Sequence, residues 1–305
     1  MSGAENASSD GFFCFPNKWG KGEKMNSFMS WVGGKKALRD EVIIRMPPFY
    51  EKYIEVFGGA GWVLFRKSPG NEVEVFNDFN SNLVNLYRCV RDNPRRLKFK
   101  LQYVLNSRED FRWIAYLHKR GIFPRFHDYD RAAKFYQLIR YSYASGLDSF
   151  ASQPHSIWGD FPLIDMASCR LQKVIIENQD FEVLIKHYDS PVSFFYCDPP
   201  YYATESYYKD VGFTKKDHVR LRDTLIECKG KFLVSYNDCA EIRELWDMPD
   251  IRIESISRMN NLLQRYKGGS MYDEVFISNY DTREKINMNR QLSLLDDDVN
   301  GGVIL

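Results

Sequence analysis

Residues 53–92 read YIEVFGGAGWVLFRKSPGNEVEVFNDFNSNLVNLYRCVRD, and the order of elements they encode decides the fold. Tyr53–Phe57 is a short β-prone run closed by Gly58-Gly59-Ala60-Gly61, and Trp62–Lys67 suits the opening turns of a helix. Glu72–Phe76 is a second strand ending at Asn77-Asp78. Asn80–Arg91 then carries Leu83, Leu86, Tyr87 and Val90 at helical spacing. Strand, glycine turn, helix, strand and helix in succession open a doubly wound, mostly parallel α/β sheet.

Further strands follow the same reading. Pro191–Cys197 (PVSFFYC) is almost wholly apolar, as a central parallel strand buried on both faces must be. Lys231–Tyr236 and Asp273–Tyr280 are strand-like, and Thr214–Lys229 reads as a helix with Thr214 as N-cap and Asp217 as its N3 acid. Between Asn93 and about Tyr188 the alternation lapses. Phe99–Leu105, Phe111–Lys119 and Arg131–Tyr143 are helical in character. The expected organisation is a lead over 1–25, a catalytic domain in two pieces (26–92 and 189–283), a mostly helical insertion over 93–188, and a tail over 284–305.

Composition narrows the function classes. The 305 residues are 44% apolar and 27% charged, which is ordinary for a globular chain, and no apolar run is long enough for a transmembrane helix. The N-terminus lacks the apolar core of a signal peptide, so a cytoplasmic protein is expected. Six scattered cysteines without a CxxC pair, and five histidines without ligand spacing, argue against a disulfide framework and a zinc cage, so reduced thiols and no metal are expected. Net charge is only +1, yet Arg88 to Arg140 holds fourteen Lys and Arg against five Asp and Glu. Such asymmetry fits a polyanion partner, although solvated helix faces would give the same pattern.

Two constellations carry chemistry. A glycine turn after a strand lets a ligand approach a helix N-terminus, and Asp78, 20 residues beyond Gly58, is placed to take ribose hydroxyls. The turn is GGAG and not GxGxxG, so a nucleoside without a diphosphate fits better than a dinucleotide, and S-adenosyl-L-methionine leads. The second is Asp198-Pro199-Pro200-Tyr201, directly after PVSFFYC and therefore at the C-terminal end of a central strand. Two prolines stiffen the chain and leave carbonyls without ladder partners. A carboxylate (Asp198), a fixed carbonyl (Pro199) and an aromatic ring (Tyr201) suit an exocyclic amine that must become tetrahedral as it attacks a methyl group. Cys197 precedes the acid and points to the other face, which disfavours thiolate attack on a cytosine ring.

These motifs, with Trp31-Val32-Gly33-Gly34-Lys35 upstream, resemble the Dam-type DNA adenine-N6 methyltransferases from about Asn26 to Asp281. The resemblance implies S-adenosyl-L-methionine as cofactor and an adenine flipped from double-stranded DNA as substrate. By motif position it assigns Trp31, Lys35, Asp78 and Asp198 to the cofactor, with Glu55, Phe57 and Gly58 lining the same pocket. Lys35 is expected to meet the cofactor's carboxylate. The family's recognition segment is matched by Arg140-Tyr141-Ser142-Tyr143-Ala144-Ser145-Gly146-Leu147, which departs from it at Ser142 and Ala144-Ser145. Ser152–Pro162 is a candidate hairpin or loop with Trp158 and Phe161 either as wedges or as core side chains. Arg88, Arg95, Arg96, Arg140, Tyr143 and Trp158 are the expected DNA contacts, and Ser235-Tyr236-Asn237-Asp238 a candidate pocket wall. No obligate protein partner is expected. Cytosine-N4 or RNA amino methylation, and a non-catalytic DNA-binding module that keeps the fold, remain alternatives.

Overall fold

The computed structural model describes residues 25–31, 34–203, 212–259, 271–285 and 287–288. Its centre is β4 (Ser193–Cys197), buried at every position. Strand alternation divides its side chains between two cores: Phe194 and Tyr196 enter one, Phe195 and Cys197 the other. The same division holds in β1 (Lys52–Glu55), where Tyr53 and Ile54 face opposite sides, and in β5 (Lys231–Asn237), where Leu233 opposes Phe232 and Val234.

Beside these lie β2 (Val73–Asn77), β3 (Val174–Glu177), β6 (Arg252–Met259) and β7 (Met271–Ser278). The sheet order is β3-β2-β1-β4-β5-β7-β6. β3, β2, β1, β4 and β5 are parallel, and β7 runs antiparallel to both β5 and β6. The doubly wound, mostly parallel sheet is therefore as expected. From β1 the chain winds toward β2 and β3, and from β4 toward β5. The switch between these directions lies between β1 and β4, and a crevice opens at their C-terminal ends.

Helices cover both faces: α1 (Arg39–Arg45), α2 (Trp62–Arg66), α3 (Ser81–Asp92), α8 (Phe181–Tyr188), α9 (Lys215–Glu227) and α10 (Ala240–Leu245). Asn80 caps α3 by accepting from Asn82 N and Leu83 N, and the expected Thr214–Asp217 capping box opens α9. The helical stretch consists of α4 (Pro94–Leu101), α5 (Arg108–Lys119), α6 (Asp128–Tyr141) and α7 (Phe161–Leu171). They share one continuous core with α3 through Leu97, Phe111, Phe135 and Ile164.

The structure differs from the sequence reading in several places. β3 and α8 fall within 93–188 yet belong to the sheet and its cover, because β3 (VIIE) pairs with β2 at the sheet edge. Of the two readings of Ser152–Pro162, the structure takes the loop and not the hairpin. Its end forms a 3₁₀ turn at Ile157–Asp160 that leads into α7. The hairpin instead spans 141–151, closed by the Ser142–Phe150 bridge and by bonds from Tyr143 N to Ser149 O and Ala151 N to Tyr141 O, both 2.7 Å. Cys89, Cys197, Cys228 and Cys239 carry free thiols, whereas Cys169 is disulfide-bonded. Among the described residues no helix is long and apolar enough to cross a membrane, and no group of His, Cys, Asp and Glu could hold a metal ion.

Candidate active site

The crevice between β1 and β4 opens into a cavity of 910 Å³. Trp31, Lys35, Glu55, Phe57, Gly58, Asp78 and Asp198, all expected cofactor residues, line it. Each is placed by the end of an element. Gly58 follows β1, with its N–H bonded to Asn77 O at 2.7 Å; an added Cβ would lie 2.3 Å from the Phe76 ring, so only glycine fits. Gly61, at φ 63°, turns the chain into α2.

Asp78 ends β2 with its carboxylate turned back on the glycine turn. Oδ2 accepts from Gly59 N at 2.9 Å and Oδ1 from Asn80 N at 2.7 Å. Burial raises its pKa to about 6, against the pull of those two N–H donors. Glu55, at the end of β1, accepts from Tyr53 Oη at 2.8 Å and from Leu64 N, in the first turn of α2, at 2.9 Å. Deep burial raises it further, to about 8, despite both donors.

Asp198 follows β4. Its Oδ1 accepts from Ser235 Oγ at 3.0 Å and stands 3.0 Å from Lys35 Nζ. Burial raises its pKa to about 6, while the nearby ammonium holds it down. Lys35 also donates to Glu274 Oε2 at 3.0 Å, and its Nζ lies 4.0 Å from the centre of the Tyr201 ring. The ammonium expected to meet a cofactor carboxylate is thus engaged by two carboxylates of the protein. Val32 and Gly33 of the same motif lie outside the described residues. Pro200 lines the cavity; Pro199 and Tyr201 do not, and the Tyr201 hydroxyl donates to Glu274.

Several residues here escaped the sequence reading. Phe181 and Phe213 form a three-ring slot with Phe57, at 5.7 Å and 5.9 Å from it, and the Arg220 guanidinium covers Phe181 at 4.1 Å. Asn77 braces that wall, donating to Val56 O and Gln179 O and accepting from Gln179 N. Phe181 and Phe213 open helices α8 and α9, whose N-termini reach the crevice; no local motif marks them. Ser235, in the suggested wall segment, does face Asp198.

The expected DNA contacts lie outside the cavity. α3 leaves the crevice at Asn80 and carries exposed Arg88 roughly 12 Å along its axis. Exposed Arg95 and Arg96 open α4 beyond the far end of α3. Arg140 is turned inward, with Nε and Nη2 bonded to Asp160 at 2.9 and 2.8 Å and both near His155. Trp158 is exposed and stacks on Phe161, and Tyr143 is exposed on the hairpin. The hairpin tip does reach the cavity, through Ala144–Asp148. Three of its non-glycine residues, Ala144, Ser145 and Leu147, take positive φ. Ser145 Oγ meets Ser30 Oγ at 2.8 Å, tying the tip to the segment before Trp31.

A helix face beside the tip is the other surface that regional charge did not single out. His118 and Lys119 of α5 line the cavity, and Lys119 pairs with Asp148 at 3.3 Å. Arg112, Trp113, Tyr116, Lys119 and Arg120 form an exposed stripe at helical spacing. Trp113 and Tyr116, 59% and 47% exposed, stack on one another at 5.7 Å with planes 19° apart.

The ligand chemistry of the cavity is acidic and aromatic at once. Rings at one end suit a base, the Asp78 carboxylate beside a glycine turn suits a ribose, and Asp198 and the Trp31 ring suit a cationic centre.

Comparison with known proteins agrees. The profile of the D12 class N6 adenine-specific DNA methyltransferases matches residues 31–154 and 162–262. The chain is 27% identical to the type II methyltransferase M1.LlaDCHI of Lactococcus lactis subsp. cremoris, across 84% of this chain and 96% of that one. It is 25% identical to the type II methyltransferase M.CviBI of Paramecium bursaria Chlorella virus NC1A, over 73% and 87%. It is also 25% identical to a DNA adenine methylase of Salmonella typhi, over 77% and 89%. With the sheet order and the Asp198 crevice, these matches show that the chain belongs to the D12 class N6 adenine-specific DNA methyltransferase family.

Proposed function

We propose that this chain methylates adenine N6 in double-stranded DNA at the Asp198 crevice, with S-adenosyl-L-methionine bound across the ends of β1 and β2. The observation that carries the reading is the convergence of Asp198, Asp78 and the glycine turn on one cavity. Phe57, Phe181 and Phe213 would hold the cofactor's base and Asp78 its ribose. Trp31 would offer a flat wall to the remainder. When bound, the cofactor supplies a methyl group activated by a sulfonium.

The protein's own part is positioning and electrostatics. Asp198, ionised, accepts an N–H from the adenine amine and stabilises the positive charge that nitrogen gains. The Pro199 carbonyl, released from the sheet ladder by the prolines, would become a second acceptor only with a shift of the chain toward the cavity, which Pro199 does not line. Negative charge at the crevice exceeds positive, which favours a developing ammonium.

The amine of a base paired in a duplex is engaged with its partner base, so the target would leave the stack to reach Asp198. The C-terminal end of α5, through His118 and Lys119, and the hairpin tip line the cavity, with the α5 stripe beside it. Arg112, Lys119 and Arg120 would meet phosphates, and the Trp113–Tyr116 pair offers an aromatic platform beside the extruded base. The helical stretch between α3 and β3 would thereby serve as the target-recognition region. DNA as substrate also fits a place in the cytoplasm.

The decisive experiment uses purified protein, methyl-labelled S-adenosyl-L-methionine, and DNA or RNA, followed by nucleoside analysis. N6-methyladenine in duplex DNA is the expected product. N4-methylcytosine alone, labelled RNA alone, or binding of both ligands without transfer would overturn the reading.

A further inference from the structure

We infer that Glu274 is a positioning residue of the methyl-transfer site, holding the Lys35 ammonium beside Asp198 and anchoring the Tyr201 hydroxyl through one carboxylate. The inference rests on Asp198 being the acceptor for the target amine.

Glu274 lies on β7, the antiparallel strand, where the motifs of the parallel sheet do not reach. Its side chain is fully buried, opposite Asn237 of β5. Oε2 takes both bonds, from Lys35 Nζ at 3.0 Å and from Tyr201 Oη. The neighbouring Asn237 accepts from Tyr202 N at 3.1 Å. The β5–β7 pair therefore fixes two successive residues after the prolines.

A buried carboxylate in a central strand costs stability, since an apolar side chain of similar volume would hold the sheet at least as well. Its placement makes sense for the reaction. Lys35 with Asp198 as sole partner would be a closed ion pair, and the acid's oxygen would be committed to it. Two carboxylates sharing one ammonium divide that attraction. As an amine engages Asp198, Lys35 keeps a full counter-ion in Glu274 and can move away from Asp198 without becoming an unpaired buried charge. The three groups together carry one net negative charge, which favours the cation that forms on the amine.

Glu274 also fixes the ring of Tyr201 in one orientation. Lys35 lies over that ring at 4.0 Å, so the bonds to Glu274 set the height of the cation over the ring as well.

The charged and titratable groups acting on Asp198 come from every element around it. Among the described residues they are Lys35 ahead of α1, Glu55 of β1, Tyr196 and Cys197 of β4 and Glu274 of β7, with Ser235 of β5 as a hydroxyl donor. Glu274 opposes ionisation of Asp198, and Lys35 favours it. Removing the Glu274 charge must therefore move the acid limb of the rate profile to lower pH, even as the rate on the plateau falls.

The test compares wild type, Glu274→Gln and Tyr201→Phe in single-turnover methyl transfer to duplex DNA from pH 5 to 9. Cofactor and DNA affinities are measured alongside. Glu274→Gln should lose about tenfold or more of the plateau rate, the scale of one charged hydrogen bond. Its acid limb should move down in pH, with both affinities held within about twofold. Tyr201→Phe, which removes only the hydroxyl that Glu274 accepts, should lose rate without moving the limb. It keeps the test open should Glu274→Gln fail to fold. An unmoved limb, or loss of rate in step with loss of cofactor affinity, overturns the inference for Glu274→Gln, as does full activity in either variant. Wild type that leaves adenine unmodified would instead sink the underlying function.

Discussion

The Lys35 ammonium stands 3.0 Å from Asp198 Oδ1, the oxygen that also accepts from Ser235. A lysine ahead of α1 and an acid after β4 thus meet across the crevice, far apart in sequence. The pairing places a cation where a substrate amine would have to donate. It also limits how far burial raises the pKa of Asp198.

Asp198→Asn should remove methyl transfer by about 10²–10³-fold while leaving DNA affinity nearly unchanged, since the missing charge acts on charge that develops during reaction. In wild type, burial lifts Asp198 to about 6, with Lys35 limiting the rise. The acceptor must be ionised, so the rate should climb as pH rises through about 6 and level off above it. Single-turnover rates against pH check this. A flat profile between pH 5 and 8 would contradict it.

Charge on α5 should matter more to DNA than charge on α3 and α4. Neutralising Arg112, Lys119 and Arg120 together should weaken duplex binding and reduce the slope of log K against log salt, by about one for each phosphate no longer neutralised. The same change at Arg88, Arg95 and Arg96 should leave the slope nearly as it was. Fluorescence titrations at several salt concentrations compare the two sets. Equal slopes in both triple variants would return the interface to the α3–α4 corner.

Much of the sheet was legible because its strands obey simple rules. PVSFFYC had to be buried on both faces, and YIEVF ended in a glycine turn. β3 was missed because VIIE is four residues long and lies at an edge. β6 was missed because its alternation of Ile, Glu and Ser is half polar. Asp198 and Asp78 were legible from their places at strand ends. Glu274, Phe181 and Phe213 were not, because each reaches the crevice by tertiary packing. Regional charge could not rank the basic residues for a related reason: a count along the chain ignores which end of a helix faces the cavity.

Arg140 illustrates that last point. Read from the sequence it is a DNA contact, yet its guanidinium grips Asp160, whose side chain is almost wholly buried. Arg140→Ala leaves that carboxylate without its main counter-ion and should cost about 3 kcal/mol of stability. The salt slope of DNA binding should barely change. Urea denaturation and the same fluorescence titrations separate these effects. A normal stability with a reduced slope would reverse the assignment.

Ala144 sits at φ 49° in the hairpin tip, a left-handed conformation that costs an L-residue about 1–2 kcal/mol. Ala144→Gly relieves that strain, offset in part by the greater freedom of glycine in the unfolded chain. A net gain of about 0.5–1 kcal/mol is expected from denaturation curves. A loss would mean that the packing of the Ala144 methyl is worth more than the strain.

Glu55 contributes a pH dependence to stability. Burial raises its carboxyl from 4.5 to about 8, Tyr53 and Leu64 opposing the rise. The folded chain therefore keeps a proton that the unfolded chain releases above about pH 4.5. The part of stability that Glu55 contributes must fall as pH climbs from there through about 8, because its unfolded form binds fewer protons across that window. Glu55→Gln retains an oxygen for the Tyr53 and Leu64 donors and has no proton to lose. The variant should match wild type near pH 4.5 and exceed it by pH 8, by an amount on the order of 3 kcal/mol. Asp78 and Asp198 titrate in both proteins, so their contribution cancels in the difference. Urea midpoints at pH 5 and pH 8 measure it. A gap of constant size would mean that Glu55 is already ionised in the folded chain.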